Sequence, residues 1–183
     1  MAIGAMIYKA VLDVSNIDQG FYGEIPLTVA KHPSETEARL MLRVVAFALF
    51  AGRQAEFGRG LSTDGDAALW VKDETGAITD WIELGTPEVK VLRKAAGRSD
   101  RVLLIAYDEA KIAPWWEARS GDFGKIEKLE VLQISDAALE ALEKMAARNM
   151  RLAVTIQDGA VWVSDDADTV QIELSVLQRR RLR

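Results

Sequence analysis

The sequence predicts an α/β protein in which a mixed sheet is flanked by helices, with a hairpin at its N-terminal end and an antiparallel ribbon at its C-terminal end. Three observations support this fold class. The first thirty residues alternate apolar and polar side chains, as strands do. The middle of the chain interleaves helical patterns with apolar β-prone runs, and the last thirty residues form short strand patterns separated by turns. With 183 residues and no linker-like stretch, we expect a single domain over residues 1–183.

Composition excludes several kinds of site. The chain has no cysteine and a single histidine, His32, so disulfides, thiolate metal sites and multi-histidine zinc sites are excluded. The net charge of −5 argues against strong non-specific binding to nucleic acid, although a metal-assisted site would itself need carboxylates. We find neither the apolar core of a signal peptide nor an apolar run approaching the ~20 residues of a membrane span. We therefore expect a cytoplasmic protein that makes no membrane contact.

The first elements are a hairpin and a helix. Ala5–Val14 and Phe21–Val29 show the alternation of two paired strands around a turn at residues 15–20. Ser34 followed by Glu37 has the spacing of a capping box, and it predicts a helix from there to about Phe50.

The remaining elements follow from turn residues and apolar runs. We expect a weak strand at 56–62, paired strands at 69–73 and 78–84, a helix opened by Pro87, a buried strand at 101–107, a helix containing Trp115 and Trp116, and a strand at 129–134. A last amphipathic helix spans 136–149, and segments 152–157, 161–164 and 169–177 form the closing ribbon.

One acidic residue stands out in this order. Glu83 lies in the apolar stretch Trp81-Ile82-Glu83-Leu84-Gly85-Thr86-Pro87. A carboxylate in a buried strand costs several kcal/mol unless a cation, a metal or hydrogen-bond donors compensate it. Glu83 is therefore either held by a specific partner, such as an arginine at a sheet edge, or placed at a functional site.

The chain as a whole resembles a known family. The resembling segments, in order, are Ile7-Tyr8-Lys9-Ala10, His32-Pro33-Ser34-Glu35-Thr36, Gly60-Leu61-Ser62-Thr63-Asp64, Leu69-Trp70, Trp81-Ile82-Glu83-Leu84-Gly85 and Ile156-Gln157-Asp158-Gly159. They make the chain similar to the YaeQ family of small bacterial proteins, a divergent branch of the PD-(D/E)XK, or restriction-endonuclease-like, fold. The order helix, strand, strand, strand, helix, strand fits that fold, and the resemblance implies a nuclease-like core at about residues 34–134.

The resemblance also implies a site. In that fold two carboxylates from neighbouring strands hold Mg²⁺ or Mn²⁺, and a lysine two residues after the second acid orients the attacking water. Glu83 fills the second acid position, whereas Gly85 stands at the lysine position, so Lys90 or Lys94 from the next helix would have to serve. Ala68 falls opposite Glu83, so Asp66 or Asp64 would have to supply the first acid. The implied metal ligands are Asp64, Asp66 and Glu83.

Several interpretations stay open at this point. Glu37 matches the helix carboxylate that such nucleases add to the site, but the capping box with Ser34 explains it fully and is the favoured interpretation. Lys90 and Lys94 are either phosphate contacts or the wet face of a helix, and Glu35 is expected to be a first-turn charge that favours the helix dipole. The function implied is a metal-dependent nuclease or a nuclease-derived binder of DNA or RNA. The alternative is a non-catalytic module that binds a protein, for which the resemblance suggests a role in transcription, and the oligomeric state is not predicted.

Overall fold

The computed structural model describes residues 4–59 and 65–181. Within those ranges the helices are α1 (Glu37–Leu49), α2 (Val89–Arg98), α3 (Glu109–Phe123) and α4 (Asp136–Lys144). The strands are β1 (Met6–Asn16), β2 (Phe21–Lys31), β3 (Ala55–Phe57), β4 (Leu69–Lys72), β5 (Ile78–Leu84), β6 (Ser99–Ala106), β7 (Leu129–Gln133), β8 (Asn149–Gln157), β9 (Ala160–Ser164), β10 (Thr169–Glu173) and β11 (Ser175–Gln178). None of these helices is long and apolar enough to cross a membrane.

The described strands form two mixed sheets. The first sheet has the order β10-β9-β8-β1-β2, in which β1 and β8 are parallel and the other neighbours antiparallel. The second has the order β11-β7-β6-β5-β4-β3, and its central strands β5, β6 and β7 are parallel. Helices α2 and α3 connect these parallel strands, as crossover connections must.

The elements stack in four layers. Helix α1 packs between the sheets, where Met41 and Val45 belong to one core with Leu12 of the first sheet and Ile82 of the second. The opposite face of the second sheet is covered by α2 and α3, whose buried apolar side chains form a separate core with Trp81. Because α1 is covered on both sides, nine of its thirteen residues are buried.

The α/β class is confirmed, but the arrangement of strands differs from the expectation of one mixed sheet. The N-terminal hairpin and the C-terminal ribbon are present, and they join through the parallel pairing of β1 with β8 to make a sheet of their own. The segment expected as one strand at 169–177 divides, and β11 crosses to the edge of the second sheet beside β7. Pairing between residues so far apart leaves no local sequence signal. The match to a restriction-endonuclease-like core at 34–134 stays a prediction.

Two helix boundaries also differ. Helix α1 begins at Glu37 because Thr36, and not Ser34, caps it: the Thr36 hydroxyl accepts a hydrogen bond of 3.1 Å from the Arg39 backbone N–H. The helix expected at 136–149 ends at Lys144, and Asn149 already begins β8.

The predicted hairpin register is confirmed where it matters for the site. Trp70 lies opposite Trp81, and the Ala68 backbone N–H donates to the Ile82 carbonyl. A bulge shifts only the turn end, where Lys72 and not Asp73 faces Ile78. Since β5 and β6 are parallel, their carboxyl ends lie at the same edge of the second sheet.

Candidate functional site

A cleft of about 370 Å³ opens where β5 and β6 end and α1 begins. Open α/β sheets commonly bind ligands beyond the carboxyl ends of their strands. The residues that line the cleft are Ser34, Glu35, Thr36, Arg39, Glu83, Leu84, Gly85, Thr86, Pro87 and Tyr107.

Glu83 lies in this cleft, as the sequence led us to expect of a site residue. Its carboxylate accepts a hydrogen bond of 3.3 Å from the Trp81 indole N–H, since the two side chains are two residues apart on one strand. Burial raises the pKa of Glu83, and the Trp81 hydrogen bond and the positive charge of Arg39 offset this only in part. Glu83 therefore keeps a proton to a higher pH than an exposed glutamate does.

Arg39 is the one positively charged side chain among the described residues that line the cleft, and it is bound by the buried carboxylate of Glu35. Its Nη1 donates to Glu35 Oε1 at 2.6 Å. Arg43, one turn further along α1, donates to both oxygens of Glu35 at 2.8 and 2.7 Å. The Glu35 side chain is 1% exposed, so this carboxylate is shared by two guanidinium groups almost out of contact with water. A buried charge persists only with such partners.

Tyr107 completes the polar wall of the cleft. Burial raises the pKa of its phenol, and the charge of Arg39 acts in the opposite direction. The hydroxyl is therefore a neutral hydrogen-bond donor at physiological pH.

The backbone explains why glycine stands at the lysine position. Gly85 has φ +100°, a conformation that residues with a side chain rarely adopt, and its N–H donates to the Ile105 carbonyl. An added Cβ would meet Tyr107 at an ordinary 3.6 Å, so the restriction comes from the backbone and not from crowding. A lysine at this position would strain the turn that leads from β5 to α2.

The two candidate lysines lie elsewhere on α2. Lys90 forms an exposed ion pair of 2.9 Å with Glu88. Lys94 reaches the loop at Gly65, where its Nζ lies 2.8 Å from the position that a Cβ on Gly65 would take. Neither lysine is among the residues that line the cleft of Glu83.

The candidate metal ligands are not gathered in the described part of the chain. Asp66 binds Arg59 through hydrogen bonds of 2.8 and 3.3 Å, which hold the pKa of its carboxyl below the ordinary value. Among residues 4–59 and 65–181, no group of three or more Asp, Glu or His side chains could hold a metal ion. Asp64 lies outside the described residues. The proposed Mg²⁺ or Mn²⁺ therefore stays a prediction.

The contacts of Glu37 and Glu35 differ from those that the sequence suggested. Glu37 accepts a hydrogen bond of 2.7 Å from the Tyr8 hydroxyl, which ties α1 to β1. Glu35, expected to be a first-turn charge, is the buried partner of two arginines. Its spacing gave a signal, because Arg39 and Arg43 follow Glu35 at intervals of four, even though Glu35 itself precedes the Thr36 cap.

Known proteins of one family match nearly the whole length of this chain. A family model described as "YaeQ protein" matches residues 1–174. Relatives from Salmonella typhi and Escherichia coli (strain K12), each named "Uncharacterized protein YaeQ", are 37% and 35% identical over 179 residues, covering 98% of this chain and 99% of each relative. The crystal structure of the YaeQ protein from Xanthomonas axonopodis pv. citri superimposes with a TM-score of 0.90 at 40% identity, covering 97% of this chain and 99% of that one. The YaeQ protein from Pseudomonas syringae gives 0.91 at 31% identity, with coverage of 97% and 98%. The chain belongs to the YaeQ family.

Proposed function

We propose that this protein is a nuclease-derived nucleic-acid binder in which the cleft between α1 and β5 receives a phosphate group at Arg39. The observation that carries the proposal is that Arg39, although only 8% exposed, lines the cleft together with Glu83. Burial makes an electrostatic contact of this kind stronger than it is at an open surface.

The charges around the cleft favour an anion. Glu35 carries one negative charge and is shared by Arg39 and Arg43, which leaves the three residues with one net positive charge. Burial raises the pKa of Glu83, so at a given pH this carboxyl carries less negative charge than an exposed glutamate does. The N-terminus of α1 contributes the partial positive charge of its unpaired backbone N–H groups.

Arg39 also has donors to offer. A guanidinium carries five N–H groups in a planar fork, and Arg39 donates through Nη1 to Glu35 and also hydrogen-bonds the Tyr107 side chain, which leaves further N–H groups. This geometry suits the bidentate recognition of a phosphate. The left-handed turn at Gly85 brings backbone, without a side chain, to the opposite wall of the cleft.

The contacts of the candidate catalytic residues favour binding over metal-dependent cleavage. Asp66 is bound to Arg59, and Lys90 and Lys94 lie outside the cleft lining. Gly85 cannot supply the amine that would orient a water. We therefore derive no catalytic step through a metal ion.

Fluorescence anisotropy with labelled single-stranded RNA and DNA tests the proposal. We expect Arg39→Gln to weaken binding by about tenfold or more, the cost of a lost charged hydrogen bond, while Arg39→Lys keeps part of the affinity. Because glutamine cannot ionise, Glu83→Gln should bind at pH 8 as tightly as the unmodified protein binds at a pH low enough for Glu83 to be protonated. Unchanged affinity in both Arg39→Gln and Glu83→Gln, with folding verified by circular dichroism, would refute the proposal.

A thermal-shift titration with Mg²⁺ and Mn²⁺ distinguishes the metal-dependent alternative. We expect no rise in Tm from either ion. A rise that Glu83→Gln removes, accompanied by cleavage of the oligonucleotide, would establish a metal-dependent nuclease in place of a binder.

A second candidate function, a protein-interaction module, rests on a different part of the surface. Ile17 and Tyr22 flank the turn of the β1–β2 hairpin with 45% and 65% of their surface exposed. Exposed large apolar side chains at one place suit a protein contact. This candidate gains support if nucleic acids do not bind and Tyr22→Ser abolishes the retention of a cellular partner that the unmodified protein retains.

A further inference from the structure

A second groove, of about 450 Å³, runs between α2 and the segment that joins α3 to β7. Its lining consists of Arg93, Ala96, Gly97, Lys125, Ile126, Glu127 and Lys128. Three of these seven residues are cations and one is an acid. Gly97 in this lining is exposed, and a Cβ built there would meet nothing within 4 Å.

The cations of the groove are held by contacts that a ligand can replace. Arg93 and Lys125 share Asp122 at 3.2 and 2.9 Å, and all three side chains are about half exposed or more. Ion pairs at such a surface are worth little, so a phosphate can exchange with Asp122 at small cost. Lys128 donates to the carbonyls of Ala96 and Ser99 at the end of α2, and it keeps its positive charge there.

The C-terminal segment adds further positive charge beside the groove. The Arg181 backbone N–H donates to the Glu127 carbonyl at 2.9 Å, which places the exposed run Arg179-Arg180-Arg181 along one rim. Groove and rim together carry six cations against Glu127 and Asp122, on a chain whose net charge is −5. Such a local reversal of sign favours a polyanionic partner.

Helix α2 connects this groove to the cleft of Arg39. Pro87, in the cleft lining, lies two residues before the helix begins at Val89, and Arg93 and Gly97 lie in the groove lining nearer its other end. Lys90 stands one turn before Arg93 on the same face. Ten helical residues span about 15 Å, the length of two to three nucleotides of an extended strand.

We infer that this groove binds the phosphate backbone of a single nucleic-acid strand that also reaches the cleft. The inference rests on the proposed function for its ligand, but it concerns a separate set of residues. It predicts that affinity grows with the length of the strand, since a dinucleotide fills the cleft alone and a longer strand reaches both regions.

Gly97 offers a probe that removes no existing contact. Gly97→Glu places a negative charge in the groove lining without a clash of its Cβ, and Gly97→Gln is its uncharged control of the same shape. We expect an oligonucleotide of roughly twelve nucleotides to bind Gly97→Glu about tenfold more weakly than Gly97→Gln at low salt. The double variant Arg93→Gln, Lys125→Gln should lose a similar factor, and its log–log slope of affinity against salt should fall by roughly 1.4.

The length of the strand separates the two proposals. If Gly97→Glu and Gly97→Gln bind the long strand equally, the groove is not part of the site, whereas a loss of binding in Arg39→Gln would still support the cleft. If Gly97→Glu weakens the long strand and Arg39→Gln affects neither length, the groove is supported and the cleft is not. If neither length binds the unmodified protein, both proposals are wrong.

Discussion

Replacing Glu35 by glutamine should destabilise the protein far more than its position at a helix start suggests. Its two carboxylate oxygens accept three hydrogen bonds of 2.6 to 2.8 Å from Arg39 and Arg43, and its side chain is 1% exposed. Removing one partner of a buried ion pair costs about 3–5 kcal/mol, because the remaining charges stay buried without compensation. Here two guanidinium groups lose their counter-charge.

The magnitude is measured by urea unfolding, from the midpoint and slope for Glu35→Gln and the unmodified protein. The matched control is Glu24→Gln, which breaks the pair of Glu24 with Arg151 at a surface where both side chains are more than half exposed. That variant should cost about 0–1 kcal/mol. If Glu35→Gln costs no more than Glu24→Gln, the three-residue network does not stabilise the fold as we describe.

A triple variant separates the structural and functional contributions of this network. Replacing Glu35, Arg39 and Arg43 together by leucine or methionine removes all three charges of this network at once, and such replacements are often neutral or stabilising. We expect this triple variant to fold and to lose binding of a dinucleotide. A folded triple variant with unchanged affinity would show that Arg39 does not contact the ligand.

Three further predictions concern the ends of the cleft. The pKa of Glu83 is raised in the folded state, so folding takes up a proton at pH values above 4.5, the ordinary pKa. The free energy of unfolding should therefore fall as the pH rises from 4.5 through the folded-state pKa. Urea unfolding across this range should show that decline, and Glu83→Gln should lack it. Thr36→Ala should cost about 1 kcal/mol through loss of the helix cap, whereas an equal loss in Ser34→Ala would contradict the assignment of Thr36 as the cap. Gly85→Ala should cost about 1–3 kcal/mol from its φ of +100°, and a Tm equal to that of the unmodified protein would show that the turn relaxes freely.

Sequence reasoning succeeded where structure depends on near neighbours. The pairing of Trp70 with Trp81 followed from the turn between them, and the place of Glu83 in an apolar strand identified a carboxyl group that does line a cleft. It failed where the partner is distant in sequence. The pairing of β1 with β8 joins residues about 140 positions apart, and alternation alone cannot tell one sheet from two.

The same distinction explains the site residues. Glu35 was read by a local rule, that acids favour the first turn of a helix, although it precedes the Thr36 cap and its side chain is buried against Arg39 and Arg43. The conformation of Gly85 could not be read from the residue alone, because glycine is compatible with either sign of φ. Lys94 was placed by helix spacing near Glu83, but in the structure it extends to the loop at Gly65.

The position of the cleft's cation follows from these constraints taken together. The left-handed backbone at Gly85 prevents β5 from carrying a lysine beside Glu83, so a cation has to come from another element. Helix α1 faces the cleft from the opposite side, but it is buried, and an arginine there would be too costly without a counter-charge. Glu35 supplies that counter-charge and also binds Arg43, so that Arg39 can remain charged next to Glu83. If the cleft binds a phosphate at Arg39 as proposed, Glu35→Gln should weaken that binding in those molecules that still fold, because Arg39 loses its counter-charge.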